Sequence, residues 1–224
     1  MGINTLPYLL QLASPALPIG AYTYSEGLET LVQQGHMPSA AALQAWITQE
    51  LTVGAMRLEA VAMCRAYTAA IAHDTAQIIH WNHWLSALRE TEELRNQSWQ
   101  MGRSLARLLT ELEPDMKPLL EACSPQWNVA IVMAIAAAHW QIDLEATVTA
   151  YLHSWISNLI NSGVKLIPLG QTAGQRLLVQ LYQPLKHLVQ TILTLSDEEL
   201  YACNWGWAIA SMNHETLYTR LFRS

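Results

Sequence analysis

Signals that start and stop helices recur along the whole chain, and they restrict its fold more than any other feature. Ser39 precedes a segment with one apolar face, Asp74 forms a capping box with Gln77, and Asp143 precedes a long apolar segment. No run alternates apolar and polar residues as a half-buried strand does, and no repeat or low-complexity linker divides the 224 residues. The sequence therefore predicts an all-α fold, a single compact domain over 1–224 with roughly eight to ten helices.

The same signals predict where individual helices begin and end. Pro184 is expected to kink or split the helix that contains it. Gly102 lies inside a predicted helix at a cost of about 1 kcal/mol relative to alanine, so close helix approach or partner contact is expected there. A further capping box joins Ser196 to Glu199. Helices are expected over residues 27–34, 39–53, 57–71, 75–88, 90–112 and 172–193. Another is expected to start at Ser124-Pro125 and end at His139, and a further one to begin at residue 144.

The segment from Leu9 to Glu29 reads LLQLASPALPIGAYTYSEGLE and has no ordinary helix or strand pattern. Pro15 and Pro18 each remove a backbone donor and fix their own φ angles. Large aromatic rings follow, but the segment contains no nucleophile–base pair and no phosphate-binding glycine loop. A rigid aromatic segment of this kind favours docking of a partner over chemistry.

Charged residues make up only 13% of the chain, against roughly 25% in an average soluble protein, while 51% of residues are hydrophobic. Either uncharged polar groups cover the surface, or other proteins cover much of it. The net charge of −6 disfavours non-specific binding of nucleic acid.

The sequence predicts a cytoplasmic protein without a membrane span. Cys64, Cys123 and Cys203 lie far apart and form no CxxC pair, as is typical of a reducing compartment. The first residues lack the pattern of a signal peptide, and the longest apolar run, Val129 to Trp140, is too short to cross a bilayer.

Histidines provide the only hint of a metal site. His80 and His83 lie three positions apart on a predicted helix, but two imidazoles are half of a zinc or nickel site. We interpret them as structural, with a nickel-binding role as the alternative. The remaining isolated histidines are also interpreted as structural: His36, His73, His139, His153 and His187.

Lys165 is the only formally charged residue between Ala146 and Gln175. Its ammonium group must reach solvent, pair with a distant carboxylate or meet a partner protein. The last residues, 211–224, contain the only phenylalanine, Phe222, beside two arginines. Their composition is typical of a flexible tail that becomes ordered on a partner.

Four segments in order resemble the UreF family of urease accessory proteins. They read LLQLASPALPIGAYTYSEGLE, RETEELRNQSWQMGRSL, SWISNLINSGVKLIPLGQTAGQRLL and IASMNHETLYTRLFRS. Two positions depart from the common family pattern: Asn213 stands where arginine is usual, and Ala173 where an acidic or polar residue is frequent. A role that the family assigns to arginine at 213 is therefore not expected here.

The resemblance implies an all-helical, homodimeric, non-catalytic adaptor. Its implied partners are UreD (also called UreH), the GTPase UreG and apo-urease. It implies that nickel is cargo of the assembly rather than a tightly bound cofactor, and that the adaptor modulates UreG. The candidate partner-binding residues, by motif position, are Tyr22, Tyr24, Ser25, Glu26, Lys165, His214, Glu215, Tyr218, Arg220 and Arg223.

Deletion of Leu217 to Ser224 is expected to lower affinity for UreD without changing the stability of the chain alone. The alternatives to an adaptor are a helical nickel-binding protein that uses His80 and His83, and an all-α enzyme with an apolar pocket for a small ligand.

Overall fold

A computed structural model describes residues 3–122 and 126–224, and it is helical throughout with no strand in those ranges. Eleven α-helices are present in the described residues, slightly more than predicted. Short 3-10 helices occur at Ile3–Thr5, Ala21–Thr23, Pro114–Met116 and Asp197–Glu199. The α-helices are α1 Leu6–Leu12, α2 Leu28–Gln33, α3 Ala40–Val53, α4 Ala55–Ile71, α5 Thr75–Leu88, α6 Glu92–Leu112, α7 Lys117–Glu121, α8 Val129–His139, α9 Leu144–Leu166, α10 Gln171–Thr194 and α11 Trp205–His214.

The centre of the fold is the pair α4 and α8. Every residue of α8 from Val129 to Ala138 is buried, and α4 is buried over most of its circumference. Helices α5, α6 and α9 pack around this pair, and α10 packs along α9 on the outside. Such all-round burial explains why α8 carries no polar face.

The predicted caps are confirmed at three helices. Ser39, Asp74 and Asp143 each accept a hydrogen bond from the backbone amide three residues later, at the starts of α3, α5 and α9. Thr91 caps α6 in the same way, so this helix begins at Glu92, two residues later than expected. The capping box of Ser196 and Glu199 is also present, but it starts only a short 3-10 helix.

Other boundaries need correction. The segment 9–29 has no ordinary helix pattern in the sequence, yet Leu9–Leu12 belong to α1, which has Pro7 in its first turn, where proline is tolerated. Pro184 does not split α10, which runs on to Thr194. Pro184 has no N–H to donate to the carbonyl of Gln180, four residues earlier. Both residues are exposed, so water can hydrogen-bond to that carbonyl instead. The predicted helix start at Ser124-Pro125 lies outside the described residues.

Gly102 confirms the expected close approach between helices. A Cβ atom at this position of α6 would collide with the backbone of Trp127, just before α8. The contact holds α6 directly against the centre of the fold. None of the described helices is long and apolar enough to cross a membrane.

Candidate functional site

Residues Ser25 to Glu29 form a tight turn that leads into α2. Glu26 and Gly27 both have left-handed backbones, with φ of 55° and 82°. A Cβ atom on Gly27 would lie only 3.0 Å from the backbone nitrogen of Ser211, so glycine allows α11 to pack directly on this turn. We call this turn, with the side chains of α6, α9 and α11 and the tail residues 215–224 that contact it, the junction.

Glu26 is the buried centre of the junction. Its carboxylate accepts hydrogen bonds from Gln97 Nε2 and from Trp155 Nε1, each at 2.8 Å. Its backbone oxygen accepts a third from Trp207 Nε1 at 2.6 Å. Burial raises the pKa of Glu26, and the hydrogen bonds from Trp155 and Gln97 offset part of this rise. One residue with an unusual backbone thus joins α6, α9 and α11.

The last residue of the chain is bound to the same turn. The backbone oxygen of Ser224 accepts hydrogen bonds from the amides of Ser25 and Glu26, at 2.7 and 3.0 Å, and from Ser25 Oγ at 2.6 Å. Ser224 Oγ donates to Gln97 Oε1 at 2.5 Å. Gln97 therefore connects Ser224 to Glu26.

Glu29 fixes the rest of the tail. Its carboxylate accepts hydrogen bonds from the backbone amides of Leu221 and Phe222, at 2.8 and 3.1 Å. The ring of Phe222 is buried, whereas Leu221 is exposed. In the structure the tail is thus packed against the start of α2.

His214, the last residue of α11, lies between two carboxylates. Its Nδ1 is 3.0 Å from Glu93 Oε1, and its Nε2 is 3.4 Å from Glu29 Oε2. Burial alone would lower the pKa of His214, but the hydrogen bonds and charges of Glu93 and Glu29 outweigh burial and raise it. Arg220 adds a weaker ion pair to Glu93 at 3.6 Å.

A second buried polar cluster lies beside the junction. Arg89 pairs with Glu59 Oε2, and the Tyr151 hydroxyl donates to Glu59 Oε1 at 2.7 Å. Burial alone would lower the pKa of Arg89, yet the charge of Glu59 raises it, so the guanidinium stays charged. These three side chains and Glu26 lie along a cavity of about 540 Å³ that otherwise has largely apolar walls.

Lys165 lies at the outer edge of the junction. It is exposed, and its Nζ is 5.2 Å from the centre of the Phe222 ring, a cation–π distance. Within residues 3–122 and 126–224 it forms no ion pair. Its charge is therefore available to a partner.

An apolar stripe covers the outer face of α11. Trp205, Ile209 and Met212 are spaced by four and three residues, so they share one face, and their exposed fractions are 77%, 55% and 50%. Tyr218 and Leu221, which follow in the tail, are also exposed. The opposite face of α11 is buried through Trp207 and His214. The sequence alone does not reveal this stripe, because large apolar residues occur on both faces of α11 and only burial distinguishes them.

Comparison with known proteins identifies the family. A family model described as UreF matches residues 37–182. A protein of Nostoc sp. (strain PCC 7120) named "Urease accessory protein UreF" is 58% identical over 217 residues, which cover 97% of this chain and 95% of the relative. The chain belongs to the UreF family of urease accessory proteins. Relatives with the same name from Thermosynechococcus vestitus and Alkalilimnicola ehrlichii are 52% and 42% identical over at least 94% of their own lengths.

The four segments that resemble UreF in the sequence meet at one place in the structure. Ser25, Gln97, Trp155 and Ser224 come from the four segments in turn, and all are in the junction. The UreF family model at 37–182 includes the whole second and third segments but neither the first nor the last. Sequence order alone does not show that the first and last segments touch.

The predicted UreF partner-binding residues divide into two groups. The side chains of Tyr24, Ser25, Glu26 and His214 are buried, so the expectation that they face a partner is wrong for the chain alone, where they stabilise the junction. The exposed members keep their candidate role, and their binding of a partner stays a prediction. They are Tyr22, Lys165, Glu215, Tyr218, Arg220 and Arg223.

His80 and His83 are both exposed on α5. In the part of the chain that the structure describes, they belong to no group of three potential metal ligands. His139, which the sequence interprets as structural, has acidic neighbours in space, because Glu113 and Asp115 lie within 4 Å of its imidazole.

Proposed function

We propose that this chain is a non-catalytic adaptor in urease maturation. It binds UreD (UreH) and UreG in the cytoplasm, supports delivery of nickel to apo-urease, and modulates the GTPase activity of UreG. Nickel is cargo of this assembly rather than a tightly bound cofactor of the adaptor. Membership of the UreF family supports the role in urease maturation, and the surface of α11 supports the role as an adaptor.

The observation that carries the proposal is the apolar stripe of Trp205, Ile209 and Met212. Single exposed apolar residues are ordinary, but large ones that share a helix face are typical of protein interfaces. Tryptophan and methionine are also enriched at such interfaces. We assign UreD to this stripe and to the exposed tail residue Tyr218.

The junction holds this surface in a fixed position. Trp207 and His214, on the opposite face of α11, are hydrogen-bonded to Glu26, Glu29 and Glu93. A surface that is already ordered loses little conformational entropy on binding, so more of the contact energy contributes to affinity. The buried polar groups of the junction therefore serve binding indirectly.

Lys165 is assigned to UreG. It is exposed, unpaired among the described residues, and located beside Phe222 at the edge of the junction. An exposed cation of this kind suits a carboxylate on a partner surface and adds specificity more than affinity. Through this contact, binding of UreD at the tail and of UreG at Lys165 are expected to influence each other.

Homodimer formation belongs to the same proposal, and the low fraction of charged residues supports it. Light scattering on the purified chain measures it directly. A mass of two chains is expected, and a monomer at all concentrations would reject this part of the proposal.

The cavity of about 540 Å³ favours a second candidate, an all-α enzyme for a small apolar ligand. Its carboxylates are already engaged: Glu26 by Gln97 and Trp155, and Glu59 by Arg89 and Tyr151. This use of both groups in structural hydrogen bonds favours the adaptor. A nickel-binding role for His80 and His83 remains the other alternative, which equilibrium dialysis against nickel would reveal.

The experiment is co-purification of the chain with tagged UreD and UreG. The double variant W205S/I209S is expected to lose UreD, because a polar stripe no longer buries apolar surface. The control V179S removes an equally exposed apolar side chain, 61% exposed on α10, and is expected to retain UreD. Retention of UreD by the double variant, or no binding by the unaltered chain, would reject the proposal.

A further inference from the structure

A cluster of three potential metal ligands lies away from the junction, where the ends of α6 and α8 meet. His139 Nε2 is 3.7 Å from Glu113 Oε2 and 3.9 Å from Asp115 Oδ2. One ligand atom from each of the three residues lies within 4.8 Å of the others. Among residues 3–122 and 126–224, this is the one group of three such residues.

The backbone brings these ligands together from two directions. Glu113 follows the last residue of α6, and Asp115 lies in the 3-10 helix Pro114–Met116 that comes next. His139 is the last residue of α8. Because α6 packs along α8, and Gly102 touches the backbone just before α8, the two helices are held in a fixed relation.

A tryptophan outside the cluster orients one of its carboxylates. Trp140 Nε1 donates to Glu113 Oε1 at 2.9 Å, so Glu113 Oε2 is left to face His139. The Trp140 ring stacks on Tyr8 of α1, with centroids 4.8 Å apart, and this contact fixes its position. Hydrogen bonds that orient a ligand from behind in this way are typical of metal sites.

We propose that Glu113, Asp115 and His139 bind a divalent first-row transition-metal ion, such as Zn²⁺. Two carboxylates and a neutral imidazole supply a charge of −2, which balances the ion. The imidazole favours zinc and its neighbours over magnesium and calcium, which prefer oxygen ligands alone. The site is distinct from His80 and His83 and from the surfaces assigned to UreD and UreG.

The observed geometry needs only a small contraction to hold the ion. Ligands at about 2.0–2.2 Å from a tetrahedral zinc ion lie roughly 3.4 Å apart. The separations of His139 from Glu113 and Asp115 exceed this by a few tenths of an ångström. The side chain of Asp115, which is 71% exposed, is able to rotate and close the third separation, which is within 4.8 Å. The open side toward solvent leaves room for water as the fourth ligand.

Binding of the ion would join three elements of the fold. Glu113 and Asp115 extend from α6, His139 ends α8, and Trp140 connects the site to α1 through Tyr8. A ligand that binds only the folded chain stabilises it by mass action. Zn²⁺ is therefore expected to raise the unfolding temperature.

The test is isothermal titration calorimetry of the full chain with Zn²⁺ at neutral pH. One ion per chain is expected, and X-ray absorption of the complex should show nitrogen and oxygen ligands without sulfur. H139A and E113Q are each expected to weaken binding at least about tenfold, and W140F to weaken it by about tenfold, as for groups that orient a ligand. The control H80A/H83A removes two exposed imidazoles and should bind Zn²⁺ as the unaltered chain does.

A simple ion pair between His139 and its carboxylates is the rival explanation of this cluster. It predicts no stoichiometric Zn²⁺ binding, or binding that H80A/H83A abolishes and H139A does not. Either result, or a sulfur ligand in the absorption spectrum, overturns the proposal. Circular dichroism shows whether H139A is folded. If it is unfolded, D115N replaces it in the test, because Asp115 is the most exposed of the three ligands. The same loss of Zn²⁺ affinity is expected for D115N.

Discussion

The carboxylate of Glu29 accepts a hydrogen bond from the backbone amide of Phe222 at 3.1 Å, although 193 positions separate the two residues. Through this contact the start of α2 and the tail form one structural unit. The tail is thus part of the folded body that positions the exposed surface of α11. Stability and partner binding should therefore be separable residue by residue within the tail.

Phe222→Ala is expected to destabilise the chain by about 3 kcal/mol, since it removes a buried aromatic ring. This differs from the expectation that tail deletion leaves stability unchanged, because that expectation assumed an unpacked tail. Urea unfolding measures the difference. The control Tyr218→Ser changes a fully exposed side chain and should leave stability unaltered while lowering affinity for UreD. Equal stability of F222A and the unaltered chain would show that the tail does not pack as described.

Lys165→Ala is expected to leave helix content and UreD binding intact while changing urease activation or the coupling to UreG. The physical reason is that its ammonium group is exposed and forms no ion pair with the described carboxylates. Activation assays with UreD, UreG and apo-urease provide the measurement. Lys186→Ala is the matched control, because Lys186 is also an exposed lysine but lies on α10 rather than on α9. An unfolded K165A variant would instead assign the residue a structural role.

Stability should fall as pH rises above the ordinary pKa of histidine, about 6.5, because of His214. Glu93 and Glu29 raise its pKa in the folded chain, so the protonated form is the stabilising one. Its contribution is complete below pH about 6.5 and is lost as the pH passes through the raised pKa. Urea unfolding across this range should show a smaller decline for His214→Gln. An identical pH dependence in the variant would contradict the assignment.

Glu50→Gln is expected to stabilise the chain at pH 8. Glu50 is 2% exposed, and one of its oxygens has no hydrogen-bond partner among the described residues. Burial, and to a smaller extent the charges of Glu26 and Glu90, raise its pKa from 4.5 to about 8. The unfolded chain ionises this group at lower pH, so the free energy of unfolding falls between pH about 4.5 and about 8. Glutamine removes this loss, a gain on the order of 2–4 kcal/mol at pH 8.

The matched measurement for Glu50 is made at pH 4.5, where the carboxyl is protonated in the folded chain. There the gain from E50Q should largely vanish. A gain of the same size at both pH values would mean that packing, rather than ionisation, explains the effect.

The sequence predicted the fold class and most helix starts because these depend on local signals. Ser39, Asp74 and Asp143 cap their helices through contacts only three residues away. The prediction that Pro184 could split its helix was wrong, because the effect of a proline depends on whether its position faces solvent. A local sequence pattern does not show this. Helix α11 was missed for a related reason, since its exposed and buried faces are equally apolar.

The site was predicted only in its parts. The four segments were each recognised as unusual, but their meeting depends on hydrogen bonds that join Ser224 to Ser25 and to Gln97 across more than a hundred residues. The same limit applies to His139, whose partners Glu113 and Asp115 lie at the end of a different helix. Tertiary packing likewise determines which motif residues are buried and which are exposed, so the sequence did not predict it.

We propose that α11 and the tail form the surface that binds UreD. Amide hydrogen exchange of the chain, measured with and without saturating UreD, locates this surface. Exchange is expected to slow in Trp205–His214 and in residues 215–224 and to stay unchanged in α5. If UreD binds and exchange in α11 and the tail does not change, UreD contacts another surface.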